Sequence, residues 1–403
     1  MIDKKNFLRV DLLLVALMCI LLIIPYLKYI SRGMIGFLIV FMLWCIIVFR
    51  NGIKVSFVKV IRENILLFML LGSFILINVV MYIFINSSDK ALSWIFTLFY
   101  FVLFLVVKMY YNEKEIGVIL FYIILALGLN SLISIPYILN STEFVSRLMA
   151  SGQLDEGENI EALKNGVGTN ALYTSNVLFV FLGIRFKSLF TRKRRLLFIL
   201  SLILIVISII ISTFLASVLL LFLGMFLYFM LSSNDKNSRS IKVVLVACIL
   251  SIAIFWNYLK RVDINFLKPI FFKIDSFVGN SGGVKDVTGR AELTQATINS
   301  FLENPLFGIG VPEWQSYKLI GEHVFWLDLF AHYGILGSLP FILFILLFLP
   351  FVYYYRQKEI SLFVCAVLII ASSFIAPMIM TNNTLIAFIL FIGLKKKNAI
   401  HVI

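Results

Sequence analysis

Histidine and cysteine are scarce in this chain, with three of one and four of the other among 403 residues. Cys19, Cys45, Cys248 and Cys365 each sit singly inside an apolar run. That placement excludes a disulfide framework and a zinc cluster, which need paired or loop cysteines, and leaves packing as their role. Charge is thin as well, at 14% of residues, and acidic side chains are outnumbered 21 to 35 by lysine and arginine. There is no P-loop, no dinucleotide-binding glycine fingerprint and no HExxH, so ATP-driven and zinc-dependent mechanisms lack a sequence basis. The reading needs no metal ion and no cofactor. What fills the chain is hydrophobic: 61% of residues, with 15% aromatic and a mean hydropathy of +1.02, far above the roughly half-apolar composition of a soluble domain. The fold class is therefore an all-α polytopic membrane protein. A net charge of +14 would suggest nucleic acid in a soluble protein. In a membrane protein it marks cytoplasmic loops and implies no nucleic-acid partner.

Apolar stretches near 8–28, 34–49, 65–86, 91–107, 115–138, 169–186, 196–212, 214–231, 242–258, 324–354, 359–376 and 381–394 approach the roughly 20 residues that cross a bilayer. They predict about twelve transmembrane helices in a single integral domain, 1–403, with the run 196–231 split at Ser212-Thr213. The first stretch comes after Lys4, Lys5 and Arg9 without a small-residue cleavage site, so it reads as a retained helix rather than a signal peptide. With both termini cytoplasmic, most of the 35 basic residues fall on the cytoplasmic side. Loops 139–168 and 259–323 are then the two large extracytoplasmic segments. Long, mixed loops between short connections are the natural place for function.

The first outer loop carries Arg147, which reads either as a lipid-headgroup anchor or as a cation for a ligand. Its acidic run, Asp155, Glu156, Glu158 and Glu161, lacks the oxygen-ligand spacing of a calcium loop and reads as solvated surface. In the second loop, apolar positions at Leu293, Ala296, Ile298, Phe301 and Leu302 predict a short amphipathic helix near 289–303. Thr288 is its expected N-cap and Asn304-Pro305 its end. Arg290 would then sit among exposed first-turn amides, where guanidinium and dipole together suit a phosphate or diphosphate; a salt bridge to Asp286 is the competing reading.

His323, at the edge of the next span, is the candidate general base, against a structural role at the interface. His332 lies nine residues further on, about 900° around a continuous helix and so on the opposite face. Asp328, four residues before His332, shares its face and suggests a supporting pair. Gly334 and Gly337 suggest close helix packing rather than contact with substrate.

Thr288-Gly289-Arg290, a short helix, Asn304-Pro305-Leu306-Phe307-Gly308-Ile309-Gly310, His323, and Tyr333-Gly334-Ile335-Leu336-Gly337 together resemble the bacterial O-antigen ligase and O-antigen or capsule polymerase superfamily. The resemblance covers about 50 residues, with the polytopic layout loosely supporting it. It implies a GT-C-like membrane fold and a glycosyltransferase that takes a polyprenyl-diphosphate-linked oligosaccharide on the outer face of the bacterial cytoplasmic membrane. It implies that Arg290 holds the diphosphate and His323 assists the acceptor hydroxyl, with Arg147 as a second arginine. Flippase and chain-length regulator proteins are the implied partners, besides membrane lipids. Two departures stand out: His323 is followed by Val324 where the family often has asparagine, and Ser212 is followed by Thr213 where it often has arginine. The expected activity is that of a cell-surface polysaccharide polymerase, the alternatives being a ligase to lipid A core or a polysaccharide-lipid transporter. A transporter is expected to show broken helices at the midplane and internal repeats; no repeat is visible.

Overall fold

The computed structural model describes residues 9–30, 35–51, 111–141, 145–151, 154–212, 214–231, 284–309 and 325–375, with single positions between 58 and 80, 103 and 110, and 386 and 391. Among the described residues the protein is helical, without strands. The helices are α1 (Val10–Ile23), α2 (Pro25–Ile30), α3 (Ile35–Asn51), α4 (Glu113–Asn140), α5 (Val145–Ser151), α6 (Glu156–Lys164) and α7 (Asn170–Phe186), followed by α8 (Arg192–Ile211), α9 (Leu215–Leu231), α10 (Val284–Glu303), α11 (Phe325–Lys358) and α12 (Ile360–Ile375). Three stretches, Glu113–Asn140, Arg192–Ile211 and Trp326–Leu343, are long and apolar enough to cross a membrane, and shorter apolar helices accompany them. The protein is a membrane protein.

The break expected at Ser212-Thr213 lies where α8 ends and α9 begins. The first stretch is not one helix, however. Pro25 cannot donate a hydrogen bond and pushes the preceding residue out of helical geometry, so Ile24 is extended and the chain restarts as α2. The spans expected near 91–107, 242–258 and 381–394 lie largely outside the described residues.

Side chains explain how the bundle closes. A Cβ on Gly128 of α4 would come within 2.8 Å of the Ser201 backbone in α8, so a glycine there lets the two helices meet. One turn on, Ser131 donates to the Ser208 hydroxyl of α8 at 3.0 Å. Gly224 of α9 receives the Phe181 ring of α7 in the same way. Around these contacts the rings of Phe121, Phe190 and Phe198 pack at centroid distances of 4.9–6.0 Å, Phe121 and Phe198 being stacked and the other pairs tilted. One apolar cluster joins α1, α3, α4, α7, α8, α9, α11 and α12.

One end of the bundle is ionic. Arg9 pairs with Asp11 at 2.6 Å and with Glu115 at the start of α4. The hydrogen bond to Asp11 outweighs partial burial and raises the guanidinium above its ordinary range. Arg185, in the last turn of α7, pairs with Glu113 of α4 and with Glu359 between α11 and α12. The Trp44 indole of α3 donates to Tyr111 at 2.7 Å, and Tyr111 donates to the Asp11 carbonyl at 3.3 Å. The N-termini of α1 and α4, the C-terminus of α7 and the α11–α12 connection are thereby held together.

Candidate functional site at the opposite end

The segment expected as the first outer loop is organised rather than extended. Asp155 accepts from the Glu158 amide at 2.7 Å while Glu158 accepts from the Asp155 amide at 3.3 Å, a capping box that starts α6. Its acidic run is exposed and partly committed to this box. The chain then turns through Gly166 at φ +74°, and the buried Asn130 amide of α4 donates to the Gly166 carbonyl at 2.8 Å. Arg147 lies on α5 between buried Ser146 and half-buried Leu148. The Ser146 hydroxyl lies beside the buried Tyr173 phenol of α7, and Val145 packs with Ala162 and Val167. Arg147 is thus carried on a helix fixed to the C-terminal end of α4 and the N-terminal end of α7.

The segment expected as the second outer loop differs from expectation where its helix starts. α10 begins at Val284, so Thr288 lies inside the helix and is not its cap. The glycine-rich stretch ends with Gly282-Gly283, and a β-branched threonine inside a helix costs only some tenths of a kcal/mol. Arg290 therefore sits in the second turn, about 9 Å along the axis from the first residue. The free first-turn amides expected beside it belong to residues further back. Position 290 is seven residues, nearly two turns, before Thr297 and so on the same stripe. That stripe leads to buried Thr297 and Ser300, and Phe301 meets Phe330 of α11 at 5.7 Å.

α10 stops at Glu303 as Asn304-Pro305 predicts, and residues 304–309 then form a strap against α11. α11 is two helices joined at Gly334, whose φ of +62° and ψ of −169° no regular helix allows. In a straight helix the Ile335 amide would bond to the Ala331 carbonyl. Here both groups are given to the strap: Ile309 donates to the Ala331 carbonyl at 2.9 Å, and Ile335 donates to the Pro305 carbonyl at 2.8 Å. Leu336 likewise donates to the Leu306 carbonyl at 3.1 Å. The Ser338 hydroxyl lies 3.0 Å from the Leu329 carbonyl, back across the break. Glycine is required on both sides: a Cβ on Gly308 (φ +72°) would lie 2.4 Å from the His332 carbonyl carbon, and one on Gly334 2.4 Å from that of Leu306.

The half-helix before this break carries Asp328, buried, and His332, half-buried, four residues apart. Trp326 anchors it to α12 by donating to Ser373 at 2.9 Å. The structure therefore brings the helix of Arg290 against the half-helix of Asp328 and His332. Arg147 stands apart on α5 at the same end of the bundle, and His323 lies outside the described residues. The sequence reading missed the exchange of backbone partners and the carboxylates of the ionic end. Acidic residues at span edges in so basic a chain were the available signal for the carboxylates.

Among the described residues no group of three or more histidine, cysteine or carboxylate side chains is placed to hold a metal ion. No curated protein matches the chain in sequence. Residues 196–342, from α8 through the strap to beyond the break in α11, match the family model for O-antigen ligase. Over these residues the chain is similar to the O-antigen ligase family, which supports the O-antigen ligase/Wzy-like superfamily.

Proposed function

We propose that the protein is a polymerase of cell-surface polysaccharide, working at the outer face of the bacterial cytoplasmic membrane with the ionic end of the bundle toward the cytoplasm. The observation that carries this reading is the joining, inside the matched segment 196–342, of the Arg290 helix to the half-helix of Asp328 and His332 by a backbone strap. In the reaction, the hydroxyl of one lipid-linked repeat unit attacks the anomeric carbon of a glycan on polyprenyl diphosphate. A glycosidic bond forms, the sugar–phosphate bond breaks, and polyprenyl diphosphate leaves with the electron pair. Arg290 and Arg147 neutralise the charge that gathers on the departing diphosphate, and His323 takes the hydroxyl proton. Asp328 and His332 support the site from α11. Two fixed cations supply the neutralisation that a metal ion would otherwise provide. Flippase and chain-length regulator proteins would supply the donor and set the product's length.

Transfer to a lipid A core acceptor is the second reading, favoured by the description of the matching family. A transporter is less well supported, because the backbone groups released at the α11 break are taken by the strap rather than left to line a path. Purified protein in detergent and EDTA, given the undecaprenyl-diphosphate-linked repeat unit of its own cell, should yield a ladder of evenly spaced products. Arg290→Ala and His323→Ala should each abolish the ladder while the protein remains in the membrane. Consumption of the unit only after addition of a lipid A core acceptor would establish the ligase, and inertness toward both acceptors would remove the enzyme reading.

A further inference from the structure

We infer that Gly308 and Gly334 are positioning residues for the transfer, acting through Arg290 by fixing the register between α10 and the half-helix of Asp328 and His332. The inference rests on the proposed role of Arg290. Its basis is the exchange at the α11 break, where the Ala331 carbonyl and the Ile335 amide, natural partners of one another, are both bonded to the strap that ends α10. Such an exchange has two discrete arrangements. Either the strap is seated and α11 is broken, or the strap is displaced and Ile335 returns to Ala331 in a continuous helix. A sliding intermediate would leave the carbonyl of buried Ala331 without a partner, which is costly.

The two glycines select the seated arrangement. Each has positive φ, and each approaches the other strand's backbone so closely that a Cβ would lie 2.4 Å from a carbonyl carbon. Backbone cannot yield as a side-chain tip can, so a methyl group at either place unseats the strap. Beyond the strap, α10 packs against α11, with Phe301 on Phe330. Loss of the strap therefore lets the Arg290 stripe tilt and slide over α11. Displacements on the order of 1 Å in a positioning element cost up to about 10²-fold in rate.

The test is a double-mutant cycle on the ladder assay with Gly308→Ala and Arg290→Lys, the latter keeping the charge but losing the fork-shaped donor set. Gly308→Ala alone is expected to lower the rate about tenfold or more. If the glycine acts through the arginine, the double variant is no slower than Arg290→Lys alone. Effects that multiply in the double variant would mean general damage to the fold and overturn the inference. So would full activity of Gly308→Ala beside an impaired Arg290→Lys. Unchanged activity of both Arg290→Lys and Arg290→Ala would instead remove the role of Arg290, a distinct failure. Should Gly308→Ala be missing from the membrane, Ser338→Ala, which deletes the hydroxyl spanning the break, is run through the same cycle with the same two readings.

Discussion

At the scale of single residues, the polar groups inside this bundle mostly tie segments together, and Asn130 shows how. In the sequence it is one of several scattered polar residues within an apolar run. In the fold its buried amide donates to the Gly166 carbonyl 36 residues away, and it fixes the turn that brings α6 back to α7. Removing one partner from a buried hydrogen bond costs about 1–3 kcal/mol, so Asn130→Ala should lower the melting temperature in detergent. Gly166→Ala should do the same for two reasons: its φ is +74°, and its Cβ would lie 2.8 Å from the Asn130 side-chain oxygen. The alanine at 130 removes that clash, but neither the contact with the backbone carbonyl of residue 130 at 2.9 Å nor the backbone strain. The double variant should accordingly lose less than the sum of the two single losses, and a strictly additive result would show that the two residues do not meet.

Whole elements show where local sequence rules suffice and where they do not. The end of α10 was legible because Asn304-Pro305 acts on its own neighbours, and the α8–α9 break fell at Ser212-Thr213 as expected. The start of α10 was misplaced because Thr288 has the chemistry of a cap, yet nothing local obliges a helix to begin there. The broken α11 was legible only as two glycines. Its cause is a set of hydrogen bonds to residues more than 20 positions earlier, which periodicity does not record. The capping boxes at Asn112-x-x-Glu115 and Asp155-x-x-Glu158 are readable motifs, but acidic side chains beside a membrane span invite a solvated or ligand-binding reading instead. For α6 the box has a measurable consequence. Asp155→Ala should raise amide hydrogen exchange at Glu158 and through the first turn of α6, since a lost N-cap costs about 1 kcal/mol. Exchange in α4 should not change.

Across the whole molecule the two ends divide the work. The ionic end joins α4, α7 and the α11–α12 connection through Arg185, while the opposite end collects α5, α6, α10 and the strap. A tie at one end steadies chemistry at the other only if the helices between them are held as one body, and the apolar cluster that joins α1, α3, α4, α7, α8, α9, α11 and α12 does that. Arg185 is then a long-range support. Its side chain is 11% exposed, while Glu113 and Glu359 are 32% and 37% exposed. Breaking a fully buried pair by deleting one partner costs about 3–5 kcal/mol; the solvent reaching both carboxylates lowers this to about 1–2 kcal/mol for Arg185→Ala. The variant should melt earlier in detergent and lose activity only in proportion to the folded fraction, because the contacts of Arg185 lie at the ionic end. Replacing all three charges, as Arg185→Met with Glu113→Gln and Glu359→Gln, leaves no partly buried charge without a partner and should recover most of the lost melting temperature. If the triple variant melted no higher than Arg185→Ala, the arginine would be stabilising the bundle through its packing and its contact with the Phe186 ring, 5.8 Å away, rather than through its charge.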